Sequence, residues 1–331
     1  MGRVEATVTN EQTAAPESAR ERRTEIGPTV LLVNTAARQG AETFDRARMY
    51  LTALDVPLVE AKAVDAPEQL PLLVHAAVRA GAKRIVVAGG DGTLSAAANE
   101  LWQHDVVMGV LPVGTCNDFA RSLELPVSLE EACRVAAGEV TRRVDVALAG
   151  KRAFLNAAGV GLPTAVTRRL SDDLKRKLGR GAFAVAAATE AVTHKPFRAE
   201  LRTPNGVQQV EAHVVVVGNG RYHGGGQLLA PEATHDDHQL DVYVIRSAQP
   251  FGAMEPDGTE RLRDLWNMVQ VAVKLRRGTH LDHDAVLHLR TPSLTLVTDP
   301  PQHVDLDGEP WGQTPTHFEV QPGALEVLVP E

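Results

Sequence analysis

Arg84-Ile85-Val86-Val87-Ala88-Gly89-Gly90-Asp91-Gly92-Thr93 is the stretch on which the fold turns. The unbroken run RIVVA predicts a strand buried on both faces, as in a parallel sheet. Glycines and an aspartate then interrupt the chain, and helical spacing resumes over Leu94–Trp102. A strand, a glycine turn and a helix start in succession set free N–H groups and a positive dipole end beyond the strand's carboxyl end. Open α/β sheets bind their ligands there. The glycines let backbone approach a phosphate closely, and Thr93 offers a hydroxyl donor. Asp91 is the awkward member, because a carboxylate repels phosphate unless a cation lies between them. Read alone, the pentapeptide also suits a plain Asp-Gly turn. Neither GxxxxGK[ST] nor a complete GxGxxG follows a strand here, which argues against a P-loop enzyme or a dinucleotide dehydrogenase.

Outward from this stretch the rhythm is strand, helix, strand, helix. Thr29–Val33 (TVLLV) and Val106–Leu111 predict buried strands, and Pro57–Ala61 a further short one. Ala41–Leu54 and Pro67–Ala80 predict helices, the second stopping at Gly81. Leu111-Pro112-Val113-Gly114-Thr115-Cys116-Asn117-Asp118-Phe119-Ala120-Arg121 follows the last strand, so its polar groups reach the same sheet edge as Asp91. Thr115 and Asn117 offer hydrogen bonds to a nucleotide. Asp118 either joins Asp91 in holding Mg²⁺ or caps the next helix.

After Gly138 the pattern becomes β-rich. Strands are predicted at Val140–Leu148, Arg152–Ala157, Ala199–Arg202, Gln209–Val217, Gln239–Ile245, Ala285–Leu289, Leu294–Val297, Val304–Leu306, His317–Val320 and Leu325–Val329. Helices are expected near Ala182–Thr193, behind the basic Lys175–Arg180 stretch, and near Thr259–Arg276. The expected organisation is a disordered leader over 1–27, an α/β domain over 28–140 and a β-rich domain over 141–331. The final strands are free to return to the first domain.

Composition narrows the function classes. The 331 residues suit about two domains. Lys and Arg number 34 against 42 Asp and Glu, a net charge of −8 that argues against a general nucleic-acid binder. Cys116 and Cys133 cannot build a disulfide framework, and no stretch approaches the roughly 20 apolar residues of a membrane span. The polar first residues lack a signal-peptide core. A cytoplasmic protein is expected, touching membrane only peripherally. The low aromatic content predicts no strong interfacial Trp or Tyr anchor.

GGDGT at 89–93 and GTCNDFAR at 114–121 resemble the two signatures of the diacylglycerol kinase catalytic-domain family, which is related to sphingosine and ceramide kinases. Later segments match in order, among them Asp145, Asn156–Gly161, Gly218-Asn219-Gly220, Gly224–Gly226, Asp236-Asp237 and Asp307-Gly308-Glu309. The resemblance covers roughly 28–330. It implies an N-terminal α/β nucleotide domain with a mainly parallel sheet, a C-terminal β-sandwich-like domain and an active site in the cleft. The reaction implied is ATP- and Mg²⁺-dependent phosphoryl transfer to a lipid hydroxyl.

Carried over by position, Asn34, Arg38, Gly89, Gly90, Asp91, Gly92, Thr93, Leu94, Gly114, Thr115 and Asn117 would surround the nucleotide. Asp91, Asp118 and Asp145 would serve Mg²⁺ partly through water, and Thr234, Asp237 and Gln239 a further metal, largely through backbone oxygens. Glu309 matches the position of the general base, with Asp307 second, and in sphingosine-kinase-like relatives the role falls to the position of Asp91. Without the resemblance, Asp-Gly-Glu reads as a β-turn. The first loop departs from the family pattern: Asn34-Thr35-Ala36-Ala37-Arg38-Gln39-Gly40 lacks its Pro and inner Gly, and Lys62 stands near where a threonine is usual. Cys116 reads as a packing residue.

Two basic groups, Arg168–Arg180 and Lys274–Arg277, either dock on an anionic bilayer or are solvated helix faces. His280, His283 and His288 fit no zinc spacing. A NAD-kinase-like small-molecule kinase and a non-catalytic nucleotide or lipid sensor are the alternatives. Which lipid is phosphorylated stays open, as does the oligomeric state, a homodimer included.

Overall fold

The computed structural model describes residues 22–24, 27–36, 40–162, 164–165, 194–248, 258–275 and 277–331. Arg38, Arg276, the basic stretch 168–180 and the helix expected near Ala182–Thr193 lie outside these residues, as does nearly all of the expected leader. The first half comprises β1 (Arg22–Arg23), β2 (Thr29–Asn34), α1 (Gly40–Ala53), β3 (Leu58–Val64), α2 (Gln69–Arg79), β4 (Arg84–Gly89), α3 (Asp91–Leu101), β5 (Val107–Pro112), α4 (Asp118–Ser122) and α5 (Leu129–Ala137). There follow β6 (Val140–Ala149), β7 (Arg152–Phe154), β8 (Ala157–Gly161), β9 (Phe197–Thr203), β10 (Gly206–Gly218), β11 (Tyr222–His223), β12 (Gln227–Leu228) and β13 (Leu240–Arg246). The chain ends with α6 (Gly258–Leu275), a 3₁₀ turn at His280–Asp282, β14 (Val286–Thr291), β15 (Ser293–Asp299), β16 (His303–Leu306), β17 (Glu309–Gln313) and β18 (Thr316–Leu328).

Strands β3, β2, β4 and β5 lie side by side and parallel. Their apolar runs are unbroken because alternate side chains enter two different cores. Val30, Leu32, Ile85, Val87 and Met108 pack under α2 and α3, whereas Leu31, Val33, Val86, Ala88 and Leu111 pack under α1 and α5. The second half is antiparallel. Phe154, Phe197, Leu201, Val215, Val217, Leu296 and Phe318 form its own buried core, so the α/β plus β-sandwich-like architecture stands.

Strand β18 joins the two halves. Its first part pairs with β15, Phe318–Leu328 runs against β6, and Val327 lies beside Met108 of β5 in parallel. The two runs expected at 317–320 and 325–329 are therefore one strand. Its register shifts between Gln321 and Leu325, around Gly323 at φ +54°. Arg152–Ala157 is conversely two strands, β7 and β8, broken at Leu155-Asn156. Helix α3 begins at Asp91 rather than Leu94, inside the glycine turn itself.

Arg84, which opens the strand expected at Arg84–Ala88, is a fully buried cation at the start of β4. Its guanidinium donates to the carbonyl oxygens of Ala136 at 2.8 Å and Gly138 at 2.9 Å, closing the C-terminal end of α5. Burial lowers its pKa from the usual arginine value. Arg84→Met should destabilise the fold by about 2–3 kcal/mol, since a buried and a half-buried carbonyl lose their donors. Chemical denaturation of both proteins measures the difference.

Candidate active site

Gly89 and Pro112 are register partners at the ends of β4 and β5, so the two polar loops leave the sheet side by side. They touch backbone to backbone: a Cβ on Gly114 would sit 2.4 Å from the Cα of Gly90. Asn117, in the left-handed region at φ 53°, closes the second loop. Its Oδ1 accepts from the Gly114 N–H at 3.0 Å and its Nδ2 donates to the Gly114 carbonyl at 3.1 Å. Asn34 ties in the first loop, donating to Thr93 Oγ1 at 2.8 Å. Gly40 completes that loop, because a Cβ there would lie 2.3 Å from the Thr35 Cα.

Helix α3 starts in this cradle with no side chain capping it. The first N–H groups of a helix have no partner within the helix, and its dipole presents positive charge there. Gly90, Asp91, Gly92 and Thr93 thus present an open helix end of the kind that suits an anion, with Thr115 exposed on the neighbouring loop. Leu94 is placed differently. Its side chain is buried in the core and its N–H is taken by the Gly90 carbonyl, so it supports the cradle without lining it.

The carboxylates divide by how their oxygens are satisfied. Asp118 accepts from the N–H groups of Gly225 and Gly226 at 3.0 and 2.6 Å, fastening the 224–226 glycine loop to the cradle. Asp307, at φ 49°, accepts from Leu155, Asn156 and Ala157 at 2.9, 2.8 and 3.0 Å. Asp145 accepts from the His238 and Gly323 backbones and pairs with the His238 ring, holding the kink of β18. Asp91 accepts from the Phe119 N–H at 3.1 Å. Burial, with Asp118 and Asp307 nearby, keeps its carboxyl above the usual range. Glu309 opens β17 just past the Asp307-Gly308 turn and is exposed. Its Oε1 lies 2.9 Å from where a Cβ on Gly92 would be. The structure thus brings Asp91, Asp118, Asp307 and Glu309 to one place.

A cleft of about 260 Å³ opens there, lined by Gly92, Ser95, Arg152, Asp307, Glu309 and Trp311, among others. Sequence reasoning singled out neither Arg152 nor Trp311. An indole two residues beyond the Asp-Gly-Glu turn, in an otherwise polar hairpin, was the available signal. Asp305 was missed as well. Buried and bonded to Thr164 Oγ1 at 2.7 Å, it is held by that burial above the ordinary carboxyl range.

The donor chemistry fits a divalent cation only in part. Asp91, desolvated beside two other acids, has a deficit of positive charge that a cation would relieve. No three His, Cys, Asp or Glu side chains converge as a closed cage among the described residues. At the Thr234–Gln239 loop, Asp237 accepts from the Thr234 and Gln239 N–H groups at 3.1 and 3.0 Å. Arg290 Nη2 lies 2.6 Å from its Oδ2. The positive charge at this loop is the Arg290 guanidinium.

The three later histidines find separate partners: His283 the Gln270 amide, His288 Asp241, and His280 a buried place beside Tyr243. Cys133 is buried, its thiol pushed up to about 12 by desolvation, and Cys116 packs near Gly225.

Comparison with known proteins agrees with this geometry. The model of the diacylglycerol kinase catalytic domain matches residues 28–149. That of the YegS C-terminal NAD kinase beta sandwich-like domain matches residues 157–329. A Chromohalobacter salexigens protein named "Probable lipid kinase YegS-like" is 33% identical over 263 residues, 78% of this chain and 80% of its own length. A Pseudomonas savastanoi protein of the same name is 34% identical over 260 residues, 78% and 79% of the two chains. The crystal structure of a diacylglycerol kinase from Bacillus anthracis superposes with a TM-score of 0.74 at 26% identity, covering 93% of this chain and 99% of that one.

Two predictions follow from the cradle and its support. Gly114→Ala forces the loops apart and should weaken ATP binding at least tenfold while the rest of the fold melts cooperatively, as calorimetric titration and thermal denaturation would show. His235 stacks edge-on against Phe119 at 5.2 Å, with neither ring nitrogen hydrogen-bonded. Burial lowers its pKa from 6.5 to about 4, with Asp236 opposing and Arg142 and Arg221 assisting. The unfolded chain therefore takes up the proton first. Stability should be complete above pH 6.5 and fall by about 3 kcal/mol as pH drops toward 4. In His235→Leu that part of the acid slope should vanish.

Proposed function

We propose, from the premise that this chain belongs to the diacylglycerol kinase catalytic-domain family and is a lipid kinase, that it transfers the γ-phosphoryl group of ATP to the hydroxyl of diacylglycerol or a similar lipid alcohol. The observation that carries this reading is the position of Glu309, an exposed carboxylate held over Gly92 at the open end of α3. A phosphate chain bound at that helix end brings its transferable group to the cleft that Glu309 lines.

The residues then take separate roles. The N–H groups at Gly90–Thr93 and the exposed Thr115 bind phosphate oxygens, and Asn34 and Asn117 keep the loops in register. Glu309 accepts the proton of the lipid hydroxyl as its oxygen attacks the γ-phosphorus and ADP departs. Asp307 is the positioning residue for Glu309. Its oxygens accept from three backbone N–H groups, which fix the turn from which Glu309 projects. Arg152, which pairs with no acid among the described residues, supplies positive charge on the cleft wall. Asp91 and Asp118 would hold Mg²⁺ partly through water, and the ion would neutralise phosphate charge. Asp145 is one shell removed, steadying the kink of β18. The chain works in the cytoplasm at a bilayer face. No described helix is long and apolar enough to cross a membrane.

The direct test is labelled ATP with mixed micelles of diacylglycerol, phosphatidylglycerol, sphingoid base and ceramide, with NAD as a separate acceptor. Label should enter a lipid, chelation of divalent cations should abolish transfer, and NAD should stay unlabelled. Absence of lipid-dependent transfer with every acceptor would sink the reading. Glu309→Gln should lose about 10²–10⁴-fold in kcat while ATP binding is retained. Full turnover in that variant would move the base to Asp91 or Asp307.

A further inference from the structure

Helix α6 is apolar on two opposite faces. Its inner face carries Met268 and Val271, both buried, and Asp264, which is pinned by His213 Nε2 at 2.8 Å and Ser247 Oγ at 2.7 Å. A surface helix ordinarily presents a polar face to water opposite such a stripe. Here the opposite face holds Leu262, Trp266, Val269 and Val273, which are 71%, 63%, 49% and 48% exposed. Their spacing of four, three and four residues aligns them in one row about 16 Å long. Four large apolar side chains in a single exposed row mark a contact surface, not scatter.

Charge identifies the partner. Arg261 and Arg263 flank the N-terminal half of the row, and Lys274 and Arg277 stand at its other end. With Asp264 turned inward, Glu260 is the remaining acid of α6. The segment is thus locally positive on a chain whose net charge is −8. A second copy of so acidic a chain is a poor electrostatic match, whereas an anionic bilayer suits both the cations and the apolar row. Trp266, in the row itself, has the amphipathic ring that settles at headgroup depth. Composition predicted no such anchor, yet Trp266 and Trp311, at 63% and 41% exposure, face solvent.

We propose that α6 is the membrane-docking element, lying in the plane of an anionic bilayer with Leu262, Trp266, Val269 and Val273 at the acyl boundary and Arg261, Arg263, Lys274 and Arg277 on the headgroups. This rests on the reading of a lipid acceptor given above. Docking then controls access to bilayer lipid and leaves the chemistry untouched.

The experiment is sedimentation with vesicles of phosphatidylcholine containing 30% phosphatidylglycerol, alongside turnover on a short-chain diacylglycerol held below its micelle concentration. Wild type should sediment with these vesicles and much less with pure phosphatidylcholine. Trp266→Glu with Val269→Glu should reduce the bound fraction about tenfold, and Arg261→Gln with Arg263→Gln should remove most of the preference for anionic vesicles. Short-chain turnover should stay within twofold of wild type in both. Unchanged vesicle binding in both double variants would overturn the proposal, as would a wild type that does not sediment. So would a concentration-dependent dimer, seen by analytical ultracentrifugation, that the Glu pair dissolves without affecting vesicle binding. Wild-type inactivity on every lipid, short-chain included, is the distinct result that would overturn the lipid-acceptor reading instead.

Discussion

Everything in the cleft depends on the contact between Gly90 and Gly114. With 2.4 Å between the Gly90 Cα and the position of a Gly114 Cβ, the two loops approach as closely as backbone allows. That approach is possible because β4 and β5 are parallel neighbours whose last residues are in register. It leaves the N-terminus of α3 facing outward without a side-chain cap. A Cβ at Gly114 would separate the loops, and the helix end would no longer share a wall with Thr115. The sheet therefore fixes the position of the open helix end, and the glycines remove the atoms that would spoil it.

The second half completes the cleft through one hairpin. Strand β8 and the β16–β17 pair belong to the antiparallel half, yet the turn between β16 and β17 reaches the start of α3. Asp307 makes this reliable. Its carboxylate gathers three consecutive N–H groups from Leu155 to Ala157, residues about 150 positions earlier in the chain. A residue at positive φ is strained unless its surroundings hold it, and these bonds do so. Glu309 follows two residues later and inherits its position from that anchorage. Strand β18 provides the matching rigidity on the far side, because it pairs with both β15 and β5.

Much of this was legible in the sequence, and the reasons for the rest are physical. RIVVA reads as a parallel strand because both its faces enter cores, so apolar continuity survives. The start of α3 at Asp91 was hidden because Asp, Gly and Thr are poor helix formers, and loop contacts override propensity there. Strand β18 looked like two strands because Gln321-Pro322-Gly323 carries turn residues through a bulge. The acids at 91, 118 and 307 were visible as residues, whereas their bonding partners come from distant segments that no local pattern reports. RIVVA reads as a buried strand, but nothing local reports that the Arg84 guanidinium closes the end of α5. The helix at 258–275 was expected nearly in place, but periodicity alone does not say which of two apolar faces the core covers.

Donor counts explain how one crowded acidic site separates structure from chemistry. Four acids near a single cleft repel one another, and each must be stabilised as an anion or shift toward its neutral form. Asp307 has three backbone donors and Asp118 two, so their charges are balanced by fixed dipoles. Asp91 has one close backbone hydrogen bond, more burial than donors can offset and two acidic neighbours. It is the member whose charge calls for an external cation. Glu309 stands outside this arrangement, exposed at the mouth of the cleft. The same crowding that would destabilise an ordinary surface thus separates a desolvated carboxylate with few donors from an exposed one, by solvation and backbone donors alone.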